Sequence, residues 1–337
     1  MGKLLQQVQA DLQRALELEL FTLPPYLTAL YSIHENTNEA GRDAIQSVAM
    51  EEMLHIILVA NIMNAIGAKP TLFTNVERYF YPSKIPHIDT GHKEVQLCGF
   101  SKEALKHFMD IEKPDYDPHT ASHSNQLDTI GEFYETIMKG LIRLCPDKAA
   151  ENKLFSGDRS LQIPPDHYYY GAGGKTISVT NLTTAIEALE EIAEQGEGRK
   201  DVSNVSGNKA KFGQPKERAH YYRFREIFYA REYIQDTNIE DIPKGPRIDV
   251  NFDFVYPMQI SPTATNVPAD ARAGFDVCYG SLLKNLEKGL NGNHAALDVA
   301  ISDMHALRHH VVNLMHIPKK NSNKTLGPPF WFVKKKV

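Results

Sequence analysis

The stretch 39–66 constrains this chain most. It reads as one helix, apolar on nearly every side from Val48 to Ile66, and it stops at Gly67. A helix that is apolar all round belongs at the centre of a helical assembly, because none of its faces suits water. Yet this one carries Glu51, Glu52 and His55. Charged groups in such a place cost on the order of several kcal/mol each unless they are paired or bound to a metal. A fold built around this helix must therefore bring partners to it.

The chain offers matching residues. Glu52-Met53-Leu54-His55 and Glu217-Arg218-Ala219-His220 are both Glu-x-x-His words. Positions i and i+3 share a helix face, so each word aims a carboxylate and an imidazole at one point. Two such words, with one inward Glu from each of two other helices, form the ligand set of a carboxylate-bridged dimetal site in a four-helix bundle. On the helix read over 3–34, Glu17 and Glu19 point to different faces, and Glu19 lies with Leu12, Leu16, Leu23 and Tyr26. Glu19 is thus the inward ligand expected there. Another helix starts near Asn181 or Thr183, ends around 196–198, and presents Leu182, Ile186, Leu189 and Ala193 as its apolar face. At about 100° per residue, Glu190 and Glu197 lie nearest that face, Glu194 at its margin and Glu191 opposite. Glu194 or Glu197, which share a side, is the expected fourth carboxylate. These donors suit Fe, Mn or Zn. The expected cofactor is one or two Fe ions, with Mn or Zn as alternatives.

Around these helices the chain is punctuated. Pro24-Pro25 predicts a bend in the first helix, because proline removes a backbone donor. Ser101 caps a short helix, a long helix covers about 127–144, and the second Glu-x-x-His word rides on a helix over roughly 215–235. Residues 237–272 are Pro-rich, with a short strand expected at Asn251–Tyr256, and two helices follow near 273–290 and 294–316. The expected organisation is a bundle over 1–236, with an insertion at about 67–180, and a C-terminal extension over 237–337 packed upon it. Tyr26 and Tyr221 are expected to line a substrate pocket near the metals. Glu132 and Glu135 read as a surface pair. His305 and His309 lie four apart and read as a solvated or core face before a second metal site.

Composition narrows the partners. A net charge of −5 gives no basic field for nucleic acid or an anionic membrane. No apolar run reaches the roughly 18 residues of a membrane span. Cys98, Cys145 and Cys278 lie far apart, form no disulfide framework, and read as reduced thiols of a cytoplasmic protein. The N-terminus reads as amphipathic helix, not a secretory leader. The expected partner is a small-molecule substrate, and long apolar helices are compatible with a homodimer.

Several phrases together resemble one family. They are Glu17-Leu18-Glu19-Leu20 with Pro24-Pro25-Tyr26-Leu27, Glu51-Glu52-Met53-Leu54-His55 with Val59-Ala60-Asn61, and Ile130-Gly131-Glu132-Phe133-Tyr134. Glu194-Gln195-Gly196-Glu197-Gly198, His220-Tyr221-Tyr222-Arg223-Phe224, Leu314-Met315-His316-Ile317-Pro318 and Gly327-Pro328-Pro329-Phe330 complete the set. They are similar to the ferritin-like domain family of the iminophenyl-pyruvate dimer synthases, which includes domains of violacein- and rebeccamycin-type pathway enzymes. The resemblance implies an all-α, ferritin-like four-helix bundle with inserted loops and helices and a C-terminal helical extension. It implies ligands at Glu19, Glu52, His55, His220 and one of Glu194 and Glu197, with Glu217 matching the general dimetal pattern. The activity it implies is that of a non-haem iron-dependent oxidoreductase or synthase of secondary metabolism, with oxidative coupling of two amino-acid-derived imines as its finest form. The alternative reading is a metal-binding or storage protein without turnover.

Overall fold

A computed structural model describes residues 2–72, 81–88, 94–113, 129–165, 174, 176–196, 218–234 and 241–330. Among the described residues the fold is all-helical, with isolated β-bridges and no strand. The bridge Ile33–Val255 stands where a strand over 251–256 was expected.

Two long helices form the spine, α1 (Gly2–Ser32) and α2 (Glu39–Ala65). Only a short loop joins them, so they pack side by side along their length. Helices α4 (Ile130–Leu144) and α6 (Leu182–Gly196) close a four-helix ring: α4 lies on α1, α6 lies on α2, and the two touch each other. The approach of α4 to α1 needs Gly140, where a Cβ would fall 2.6 Å from Val8 Cγ2. Two short helices, α3 (Lys102–Ile111) and α7 (His220–Tyr229), pair with each other and seat against α1, α2 and α6. Helix α5 (Lys148–Leu154) follows α4. Finally α8 (Ala269–Leu290) and α9 (His294–Met315) form a hairpin that packs on α1 and α2.

Local sequence sets the helix starts. The side chains of Ser101, Thr129, Asp147 and Asn293 each accept a hydrogen bond from the backbone N–H three residues on. Asn181 does the same for Thr184 N at 3.0 Å. Each satisfies a donor that the first helical turn leaves open. One expected helix is much shorter than its pattern. Among the described residues of the stretch read over 215–235, the helix runs from His220 to Tyr229, with Ala219 as the residue before it. His220 therefore opens the helix instead of standing inside it. The i, i+3 argument linking it to Glu217 does not hold, and Glu217 itself lies outside the described residues.

Helix α2 is the interior helix its composition requires, with Glu51, Glu52 and His55 each about 2% exposed. By length and composition alone it would pass for a membrane span, contrary to the expectation above, and 78% of that window is buried inside the fold.

Helix α1 runs unbroken through Pro24 and Pro25. Pro25 cannot donate to the Phe21 carbonyl, and the Tyr81 hydroxyl supplies a donor in its place at 2.5 Å. The two rings stack at 5.0 Å. Tyr81→Phe keeps the stack and removes that donor from a buried carbonyl. We expect it to cost about 1–3 kcal/mol in urea unfolding. A change within error would show that the helix tolerates the double proline unaided.

Candidate metal centre

Glu52 is the middle of a buried cluster. Its Oε1 lies 2.9 Å from His220 Nδ1, and its Oε2 lies 3.7 Å from His55 Nδ1. The two oxygens of one carboxylate thus face two imidazoles, whose rings lie near parallel with centroids 5.7 Å apart. Glu19 of α1 approaches His55 Nδ1 at 3.2 Å. Glu112, the residue that ends α3, approaches His220 Nδ1 at 3.4 Å. Two triads result, Glu19–Glu52–His55 and Glu52–Glu112–His220, each with ligand atoms within 4.8 Å of one another and all buried. Glu52 belongs to both and has the placement of a bridging carboxylate.

A surrounding layer fixes these groups. Gln195 of α6 accepts from His55 Nε2 at 2.9 Å and donates its own Nε2 to Glu191 at 2.6 Å. That second bond orients the amide so that its oxygen faces the ring, which assigns the proton to His55 Nε2. On the other side His220 Nε2 lies 2.8 Å from Glu51, which Arg223 also holds at 2.8 Å. Both histidines are therefore held through Nε2 and present Nδ1 to the carboxylates, the arrangement that metal-bound imidazoles commonly show. Thr22 donates to Glu52 Oε2 at 3.1 Å. The Tyr134 hydroxyl of α4 donates to Glu19, and the Tyr26 hydroxyl of α1 donates to Glu112.

The electrostatics call for cations. Glu19, Glu51, Glu52 and Glu112 are all buried, and Arg223 reaches one of them, Glu51, at 2.8 Å. Burial and the neighbouring Glu52 push Glu19 up to about 8, and the same causes raise Glu112. Burial alone would lower His55, but Glu52 and Glu19 outweigh it and carry it to about 10. For His220 too, burial is outweighed, by Glu112, Glu51 and Glu52. Burial would raise Glu52, but the two histidines hold it well below the usual carboxylate range. His220 Nδ1 is buried and makes no hydrogen bond of acceptable geometry, although carboxylate oxygens surround it. Without a metal, protons on Glu19 and on the two imidazoles stand where cations would. Converging carboxylate oxygens and imidazole Nδ1 atoms are the donor set of a first-row divalent metal, so the residues fit such an ion in each triad.

Of the residues singled out from sequence, Glu19, Glu52, His55 and His220 come together. Glu197 and Glu217 lie outside the described residues. Glu194 is half-buried and belongs to neither triad. The inward stripe of α6 is Ala185, Ala188, Leu189, Ile192 and Gln195, rotated from the face expected from Leu182, Ile186 and Ala193, so it brings an amide to the site. Tyr26 reaches the cluster, whereas Tyr221 packs against Tyr222 in a separate aromatic group with Tyr233. Glu17 pairs with His87 at 2.9 Å and Glu135 with Lys139 at 3.0 Å. Glu112 and Tyr134 were missed, although both carried a signal. Glu112 lies four beyond Phe108 and seven beyond Leu105 on the buried stripe of α3, and Tyr134 lies three before the buried Ile137 on α4.

A family model described as ferritin-like matches residues 12–229, and the chain belongs to that family. It is 22% identical to dichlorochromopyrrolate synthase of Lentzea aerocolonigenes over 88% of its own length and 30% of that protein's. It is 24% identical to 2-imino-3-(indol-3-yl)propanoate dimerase of Chromobacterium violaceum over 96% of its length and 33% of that protein's. The chain thus spans about a third of the length of these curated relatives. Its fold is also that of a ferritin-like protein from Caulobacter vibrioides, with a TM-score of 0.63 at 23% identity, covering 91% of this chain and 94% of the other.

The cluster gives stability a pH signature. Glu19 and His55 have folded values of about 8 and about 10, above the ordinary 4.5 and 6.5. Groups raised on folding stabilise while they hold the proton, and that contribution is lost as pH rises through the folded values. Chelator-treated protein should therefore lose Tm as pH climbs from about 7 to about 9, and Mn(II), added anaerobically, should reduce the loss. A flat profile without metal would mean that these groups carry no extra protons.

Proposed function

We propose that this protein is a non-haem dimetal oxidoreductase acting on a small amino-acid-derived imine or a similar organic substrate, with iron as the metal. The observation that carries the reading is the shared Glu52, one oxygen toward each histidine of two adjoining triads. The distant likeness to two secondary-metabolism enzymes supports the substrate class, one of which is named for an indolyl imine. Oxidative imine coupling is the finest form of this proposal.

A pair of iron ions at such a site supplies stepwise electron transfer between organic substrate and O₂. The chain's own residues set the conditions. Glu19, Glu52, Glu112, His55 and His220 would hold the ions, with Glu52 between them. Gln195 and Glu51 keep each imidazole in the Nε2-protonated form, so that Nδ1 is free to ligate. Tyr134 and Tyr26 each fix one terminal carboxylate by a hydroxyl donor. Burial keeps both phenols protonated, with values raised well above normal, so they serve as donors throughout. Phe108 and Phe224 pack on Tyr26 with ring centroids 4.8 and 5.4 Å away and exclude water from that side.

Elemental analysis of protein purified without chelator tests the site. We expect about one to two Fe or Mn per chain, lost in the His55→Ala/His220→Ala double variant and reduced in Glu112→Gln. Anaerobic Fe(II) loading followed by O₂ and the imine from oxidised tryptophan should then consume oxygen. Full metal content in the double variant would overturn the ligand assignment. Bound iron that never turns over any imine would leave a metal-binding protein.

A further inference from the structure

A cavity of about 260 Å³ lies on the other side of α1 and α2, between them and the α8–α9 hairpin. None of Glu19, Glu52, His55, Glu112 and His220 lines it. Its walls change character along the helices. At one end stand Leu23, Ile57, Leu283, Leu286 and Leu297, and at the other Tyr31, Arg42, Gln46, His305 and Arg308. Met50, Met53 and Met304 lie between. From Arg42 to Ile57 the α2 wall runs about 22 Å at the helical rise. A cavity drawn out along that length suits an extended acyl chain. Methionines at its middle adapt to a flexible apolar guest, having unbranched side chains with three rotatable bonds.

The polar end presents two guanidiniums. Arg42 is held by the Ile33 and His34 carbonyls at 3.4 and 3.0 Å. Arg308 reaches Glu35 at 3.4 Å, with both side chains at least half exposed, so that pair is weak and exchangeable. Arg42 and Arg308 sense each other: after burial, Arg308 is the next cause that lowers Arg42, against Glu35 and Asp43, which raise it. Two like charges at the mouth of an apolar channel fit an anion whose tail lies inside. The guanidinium fork matches a planar carboxylate with two parallel hydrogen bonds.

We propose that this cavity binds a single-chain fatty acid, its acyl chain along the Leu, Ile and Met wall and its carboxylate at Arg42 and Arg308. The site is independent of the metal centre.

Delipidated full-length protein is titrated calorimetrically with dodecanoate, dodecanol and dodecyltrimethylammonium below their micelle concentrations, and mixed with phosphatidylcholine vesicles in a flotation assay. We expect one dodecanoate per chain, bound at least about tenfold more tightly than the alcohol, with the ammonium weakest and no vesicle binding. Arg42→Gln/Arg308→Gln should erase the preference for the acid while leaving metal content unchanged. Ala300→Phe places a ring inside the channel and should abolish binding. Ile301→Trp, at a half-exposed lining position, serves the same purpose if Ala300→Phe misfolds. No saturable dodecanoate binding, equal affinity for acid and alcohol, or binding indifferent to the filling variants would overturn the proposal. So would vesicle capture blocked by those variants, which would assign the channel to membrane lipid.

Discussion

The carboxylate of Glu52 sits in the dry interior between two imidazoles, and the rest of the molecule is arranged to make that burial tolerable. Glu52 and His55 come on α2, an apolar helix buried at the centre of the fold, where an uncompensated charge would be ruinous. Each neighbouring element answers with one or two groups. Helix α1 gives Glu19 and Thr22, the end of α3 gives Glu112, α4 gives Tyr134, α6 gives Gln195, and α7 gives His220 and Arg223. Well-packed apolar side chains of similar volume would be as stable or more so, since buried ionic clusters seldom repay their desolvation. A fold that keeps such a cluster, and surrounds it with groups that fix its geometry, holds there the donor set of a divalent metal.

The sequence showed the fold and part of the site for an identifiable reason. Charges on an apolar helix announce themselves, so Glu52, His55 and the inward Glu19 were visible from helical periodicity. The second half of the site failed where the rule itself failed. A spacing of three means a shared face only inside a helix, and α7 starts at His220. The mate of His220 is Glu112, more than a hundred residues earlier, at the end of a helix too short to look like part of a bundle. Gln195 escaped because a search for ligands looks for acids, and because the alanines of α6 hid its true inward stripe. Layers that act through neutral amides and phenols have no charge signal, although periodicity would place them.

The all-round apolarity of α2 also gains an explanation. One side of the α1–α2 pair faces the carboxylate–histidine cluster with α4, α6, α3 and α7, and the other faces the α8–α9 hairpin across an apolar channel. The hairpin lies beyond residues 12–229 that the ferritin-like family model matches. It covers a flank that would otherwise expose Leu23, Leu27 and Met53 to water. It is fastened there by side chains: Asn64 donates to the Leu290 carbonyl at 2.9 Å, and Glu287 accepts from Leu72 N at 2.6 Å. Bundle and hairpin therefore share one continuous core.

The donor atoms of the cluster are spread over residues 19, 52, 55, 112 and 220. While the protein is being synthesised, a nascent chain that has emerged through α2 already displays Glu19, Glu52 and His55, but the shared carboxylate has only one of its two imidazoles. The second triad closes only when His220, 165 residues after His55, has left the ribosome as well. Assembly of both triads is thereby tied to completion of the bundle.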